Sequence, residues 1–75
     1  MLLSMLKVGE QAKVLEINNS SKMVKRLNDM GITTGVNLKI VHCAPFHGPI
    51  ELEVRGFNLA IRYVEAEKII VEKRL

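Results

Sequence analysis

The sequence predicts a mainly β domain, in which five short strands form a small, partly open barrel with one short helix between the first and second strands. Three observations predict it. Apolar and polar residues alternate in stretches of about five, turn-forming residues separate those stretches, and only one segment carries apolar residues at helical spacing. Strands this short cannot bury an apolar face as an isolated flat sheet, and closure also removes exposed edges.

The first strand is expected at residues 12–17, entered through Val8-Gly9-Glu10 and ended by Asn18-Asn19-Ser20-Ser21. Ser20 or Ser21 then caps a helix, because a serine oxygen accepts from an N–H two or three residues on. Met23, Leu27 and Met30 share one helical face, while Lys22, Lys25, Arg26 and Asp29 occupy the rest. Gly31 suits the left-handed position that ends a helix, and Ile32 just beyond it can cover the last turn. The apolar face is expected to cap one end of the barrel.

After a turn at Thr33-Thr34-Gly35, Val36, Leu38 and Ile40 alternate with Asn37 and Lys39 as a second strand. Ala44-Pro45-Phe46-His47-Gly48-Pro49 is the main loop, where two prolines remove backbone donors. Ile50, Leu52 and Val54 alternate with Glu51, Glu53 and Arg55 as a third strand. Residues 55–58 form a hairpin connection, and a fourth strand returns through Leu59, Ile61 and Tyr63. Glu51, Glu53, Arg55 and Arg62 are placed to pair across these strands. Val64-Glu65-Ala66-Glu67 is expected as a reversal, and Ile69, Ile70 and Val71 centre a fifth strand.

Seventy-five residues are too few for two independent cores, so residues 1–75 are read as a single domain. A hydrophobic share of 48% against 25% charged residues separates the chain from disordered sequences. Cys43 is the single cysteine, which excludes an internal disulfide or a cysteine-only metal cage and points to a reducing cytoplasm. The apolar start, Leu2, Leu3, Met5 and Leu6, is far short of the roughly 20 residues of a membrane span, so no direct membrane insertion is expected. Those residues are expected to pack under the barrel or to support a weak homo-oligomer.

Several pieces together resemble one family. A Val-Leu-Glu-Ile strand is followed by Arg26-Leu27-Asn28-Asp29-Met30-Gly31-Ile32-Thr33-Thr34-Gly35, then by Ala44-Pro45-Phe46-His47-Gly48-Pro49-Ile50, then by Leu59-Ala60-Ile61-Arg62. In order and spacing this is similar to the ferrous-iron-transport protein A (FeoA) family, over residues 6–71. The resemblance implies an SH3-like barrel, also similar to the C-terminal barrel of metal-dependent transcriptional repressors. It further implies a small cytoplasmic accessory that modulates a ferrous-iron membrane transporter. The partner would be the transporter's cytosolic part, which carries a GTP-binding domain, and the accessory would sit peripherally at the inner membrane face through it.

The residues themselves exclude most chemistry. No paired carboxylates lie in an apolar setting, and no serine or cysteine has a credible base, so no enzyme is expected; Glu51 and Glu53 read as solvated acids. The five glycines never take a phosphate-loop spacing. His42, Cys43 and His47 suit Fe2+ or another transition metal by type, which offers a metal-responsive module as an alternative. Neighbours on a regular strand point to opposite faces, however, so no resident cofactor is expected. A net charge of +3 permits nucleic acid, but aromatics are 4% and bases alternate with acids, so a nucleic-acid-binding small barrel is the third alternative and no nucleic-acid partner is expected.

The remaining class is a protein-interaction module. Its candidate partner-binding residues are Lys22, Lys25 and Arg26 on the helix, Phe46 in the main loop and Phe57 in the hairpin, since aromatics and arginine are the usual interface anchors. The competing expectation is that both phenylalanines tuck into the barrel ends.

Overall fold

In the computed structural model, which describes residues 1–18 and 20–74, one antiparallel sheet is built from β1 (Gln11–Ile17), β2 (Asn37–Cys43), β3 (Ile50–Val54), β4 (Phe57–Ile61) and β5 (Ile69–Arg74). The spatial order is β4-β3-β2-β1-β5, so β1 lies between β2 and the distant β5. Helix α1 (Ser21–Asp29) follows β1, and a second, four-residue helix α2 (Tyr63–Ala66) separates β4 from β5. A short 3-10 turn, Leu3–Met5, precedes the sheet. Asn19, within the expected turn, and Leu75 lie outside the described residues.

Alternation decides which residues form the core. Ala12 and Val14 of β1, Leu38 and Ile40 of β2, Leu52 and Val54 of β3, Ile61 of β4 and Ile69 and Val71 of β5 are all buried. The sheet bends at two irregularities, between Val14 and Glu16 in β1 and between Ile40 and His42 in β2, and such bulges increase twist and help a short sheet curl. The apolar leader belongs to this core: Leu3 and Leu6 are buried, Leu2 bridges to Ile70, and the Met1 carbonyl accepts from the Val71 N–H at 2.7 Å. Packing under the barrel is therefore the role of Leu3 and Leu6, while Met5 between them is exposed.

Helix α1 begins and ends as its sequence dictates. Ser20 Oγ accepts from the Met23 N–H. At the other end Gly31 has φ +96°, the Ile32 N–H donates to the Leu27 carbonyl at 2.9 Å, and the Gly31 N–H donates to Asn28 at 3.0 Å, a Schellman closure. Leu27 and Ile32 are buried, and Met23 and Met30 pack against the core from its margin.

The structure corrects three sequence expectations. The fourth strand stops at Ile61 instead of running through Tyr63, and most of the reversal expected at residues 64–67 is taken up by the four-residue helix α2. A four-residue helix is too short to show periodicity, which is why its residues read as a turn. The proposed ion pairs across β3 and β4 also fail on register: Glu51 faces Ala60 and Glu53 faces Asn58, while Arg62 lies beyond β4 and turns to Glu65. Glu53 is instead opposite Lys39 on β2.

Candidate functional site

Helix α2 is the hub of the molecule's most elaborated face. Glu65 is fully buried, an unusual position for a carboxylate, and its two oxygens are both engaged. Oε1 accepts from the Arg62 N–H at 2.7 Å, closing the first turn of α2, and Oε2 accepts from Arg26 Nη1 at 2.8 Å. The Arg62 guanidinium also lies near Oε1, at 3.8 Å. One buried acid thus ties α1 to α2 and orients two arginines whose outer surfaces remain exposed.

Those arginines, with Ser20, Lys22 and Met23, line an open groove of about 220 Å³. Lys22 makes no ion pair with another described residue, whereas Lys25 is engaged by Asp29 at 3.4 Å along the helix. Of the three basic residues expected on α1, Lys22 and Arg26 therefore share a surface feature and Lys25 lies outside it.

Tyr63, the residue after Arg62, carries the face in the other direction. Its ring stacks on His47, with centroids 4.1 Å apart and planes 4° from parallel. His47 belongs to a tight turn closed by the Gly48 N–H donating to Pro45 O at 3.1 Å, inside an outer bond from the Ala44 N–H to Pro49 O at 3.0 Å. The two central residues, Phe46 and His47, have φ +58° and +57°, left-handed values that cost a non-glycine residue about 1–2 kcal/mol each. Phe46 at the tip is 99% exposed. Beside it a cleft of about 350 Å³ is floored by Leu6, Cys43, Ile50 and Tyr63.

Neither phenylalanine is tucked into the barrel. Phe57 is 75% exposed, and it begins β4 directly after the Arg55-Gly56 turn, in which both residues have positive φ as the tight type I′ hairpin requires. Phe46 and Phe57 lie at opposite ends of β3, so they belong to different patches. Of His42, Cys43 and His47, the structure brings only Cys43 and His47 to one cleft. His42 is exposed opposite Glu51, Cys43 is half-buried opposite Ile50, and His47 is turned onto Tyr63; among the described residues no cluster of three or more His, Cys, Asp or Glu side chains could hold a metal ion.

Sequence reasoning missed Arg62, Tyr63 and Glu65 as parts of this face. The available signal was the spacing of Glu65 three residues after Arg62, the position from which an acidic side chain reaches back to cap a helix.

The FeoA domain model matches residues 1–73. The chain belongs to the FeoA family. A similar relative is the Fe(2+) transport protein A/Fe(2+) transporter FeoB fusion protein of Porphyromonas gingivalis, 33% identical over 72 residues; the match covers 96% of this chain and 8% of that one. Among solved structures the FeoA protein of Chlorobium tepidum superposes with a TM-score of 0.90 at 38% identity, covering 97% of this chain and 70% of that one. A manganese-dependent transcriptional repressor superposes with a TM-score of 0.91 at 20% identity, covering 99% of this chain and 36% of the repressor, a likeness of fold alone. These matches establish an SH3-like, mainly β fold in a family linked to Fe2+ transport. No helix among the described residues of this FeoA domain is long and apolar enough to cross a membrane.

Proposed function

We propose that this FeoA domain is a cytosolic accessory of ferrous-iron uptake that docks through protein contacts on the cytosolic part of an Fe2+ transporter and modulates it. The observation that carries this reading is the relative in which protein A and the FeoB transporter are one polypeptide. Fusion holds two modules at high effective concentration, and it is productive where their separate copies also meet. The surface supports the reading. Phe46 is an aromatic anchor on a turn held in a single strained conformation, so little entropy is lost when a partner pocket closes on it. Lys22, Arg26 and Arg62 supply a separate charged groove for the polar part of an interface.

An affinity pull-down from detergent-solubilised membranes of the source cells tests this, with Phe46→Ala, Phe57→Ala and Lys25→Ala variants in parallel. Recovery of the transporter by the wild-type chain, weakened about tenfold or more by Phe46→Ala, is the expected result. Phe57→Ala and Lys25→Ala should matter less, because those side chains lie off the α2-centred face. Recovery of no transporter by any form would overturn the reading.

A further inference from the structure

We propose that the groove between α1 and α2, formed by Lys22, Arg26 and Arg62, binds an acidic peptide segment of the protein partner, with Glu65 as the positioning residue that sets both arginines. This rests on the docking reading and specifies the chemistry of the segment that docks.

Among the described residues, the groove's lining carries three cations and no acid. Counting Glu65 behind it, two net positive charges remain to be met by a ligand. Two other grooves mix signs: one has Glu53 beside Lys39 and Arg55, and the one along β5 has Glu72 beside Lys13, Lys73 and Arg74, its Lys73 already engaged by Glu10. The depressed, doubly arginine-lined character of the α1–α2 groove is created by a buried carboxylate, which fixes guanidinium planes that would otherwise sample many rotamers.

A guanidinium fork presents paired N–H donors that match a carboxylate. The Met23 N–H at the start of α1 is donated to Ser20 Oγ, so the groove's free donors belong to side chains spread along its walls. That distribution suits successive carboxylates on an extended segment better than a single compact phosphate. The neighbourhood also fits a protein ligand: Arg62 of the groove adjoins Tyr63 in the chain, and the Tyr63 ring carries His47 of the exposed Phe46 turn.

The test is an NMR titration of the ¹⁵N-labelled full chain with N-acetyl hexaglutamate amide at low salt. Saturable shifts should centre on the Arg26 and Arg62 Nε–H groups and the Lys22 amide, fade with added salt, and be absent with hexaglutamine. Lys22→Ala and Arg62→Gln should each weaken binding about fivefold, while Lys25→Ala leaves it unchanged. The spectrum of each variant reports its own folding, and Lys22 lies on the solvent side of α1. Equal response to hexaglutamine, binding insensitive to both groove variants, or tighter engagement of the same groups by inorganic phosphate or by phosphatidylglycerol vesicles would overturn the proposal. The titration contains no transporter, so its failure leaves the pull-down standing; a pull-down without transporter beside a positive titration leaves the groove with a different acidic partner.

Discussion

The ring of His47 lies flat on the ring of Tyr63, 4.1 Å between centroids, although 15 intervening positions separate them in the chain. The contact joins the β2–β3 turn to helix α2. It helps to explain how two successive non-glycine residues can hold left-handed backbone angles at a solvent-exposed tip, since strained backbone persists only where its surroundings over-determine it.

Gly48 sets the close of that turn. A Cβ at this position would stand 2.7 Å from the Ala44 Cβ and 3.1 Å from the Pro45 carbonyl oxygen, and neither is the free end of a flexible side chain. Gly48→Ala should cost about 1–3 kcal/mol in urea denaturation and broaden the His47 and Tyr63 ring resonances. Unchanged stability and unchanged ring shifts would mean that the turn is looser than described.

Removing the buried acid should hurt more than its conservative replacement. Glu65→Ala leaves the Arg62 N–H without its acceptor and frees Arg26, for an expected loss of about 2–4 kcal/mol. Glu65→Gln keeps an oxygen for the Arg62 N–H, so it should cost less. A thermal melt of the two variants side by side checks the order, and equal losses would contradict it.

Much of the fold is legible in the sequence because its elements obey simple periods. The Ser20 cap, the Met23, Leu27 and Met30 face and Gly31 bound α1, and the alternation of Ile50, Leu52 and Val54 gives β3 its buried face. The face around α2 is less legible. Val64-Glu65-Ala66-Glu67 has the composition of a solvated reversal, and a glutamate there is buried only because Arg26, 39 positions earlier, arrives to neutralise it. Long-range pairing of that kind leaves no periodic trace. Phe46 is named from the sequence as a loop anchor, but the backbone that presents it is not legible there: the composition of its loop predicts a turn, and left-handed angles at Phe46 and His47 are not what those residue types prefer.

Acid should loosen the junction between β5 and the approach to β1. The Lys73 ammonium, and then the Lys7 N–H, hold the Glu10 carboxyl below its ordinary value of 4.5. A depressed folded-state pKa gives stabilisation that is fully present above the ordinary value and is lost as pH falls through the folded one. Stability measured against pH should therefore fall less steeply on the acid side in Glu10→Gln than in the wild-type chain. Superimposable acid limbs would show that the pair contributes nothing.

Leu3 tests whether the leader belongs to the core. It is fully buried, and Leu3→Ala should cost about 2–5 kcal/mol, as for a leucine inside the sheet. Met5→Ala, at a 61% exposed position two residues away, should fall within about 0.5 kcal/mol of wild type. Calorimetry of the two variants separates a core segment from a loose arm.

The placement of β1 between β2 and β5 has a bearing on biosynthesis. Gln11 pairs with Arg74, so β1, translated before the other strands of the sheet, gains its second neighbour only after all of them have been made. Until then Val14 and the leader residues Leu3 and Leu6 have no complete cover, and the nascent chain presents them to whatever is nearby. Maturation of this small barrel is thus timed by the arrival of β5, and a C-terminal truncation that removes β5 should yield a chaperone-bound or degraded product instead of a smaller folded one.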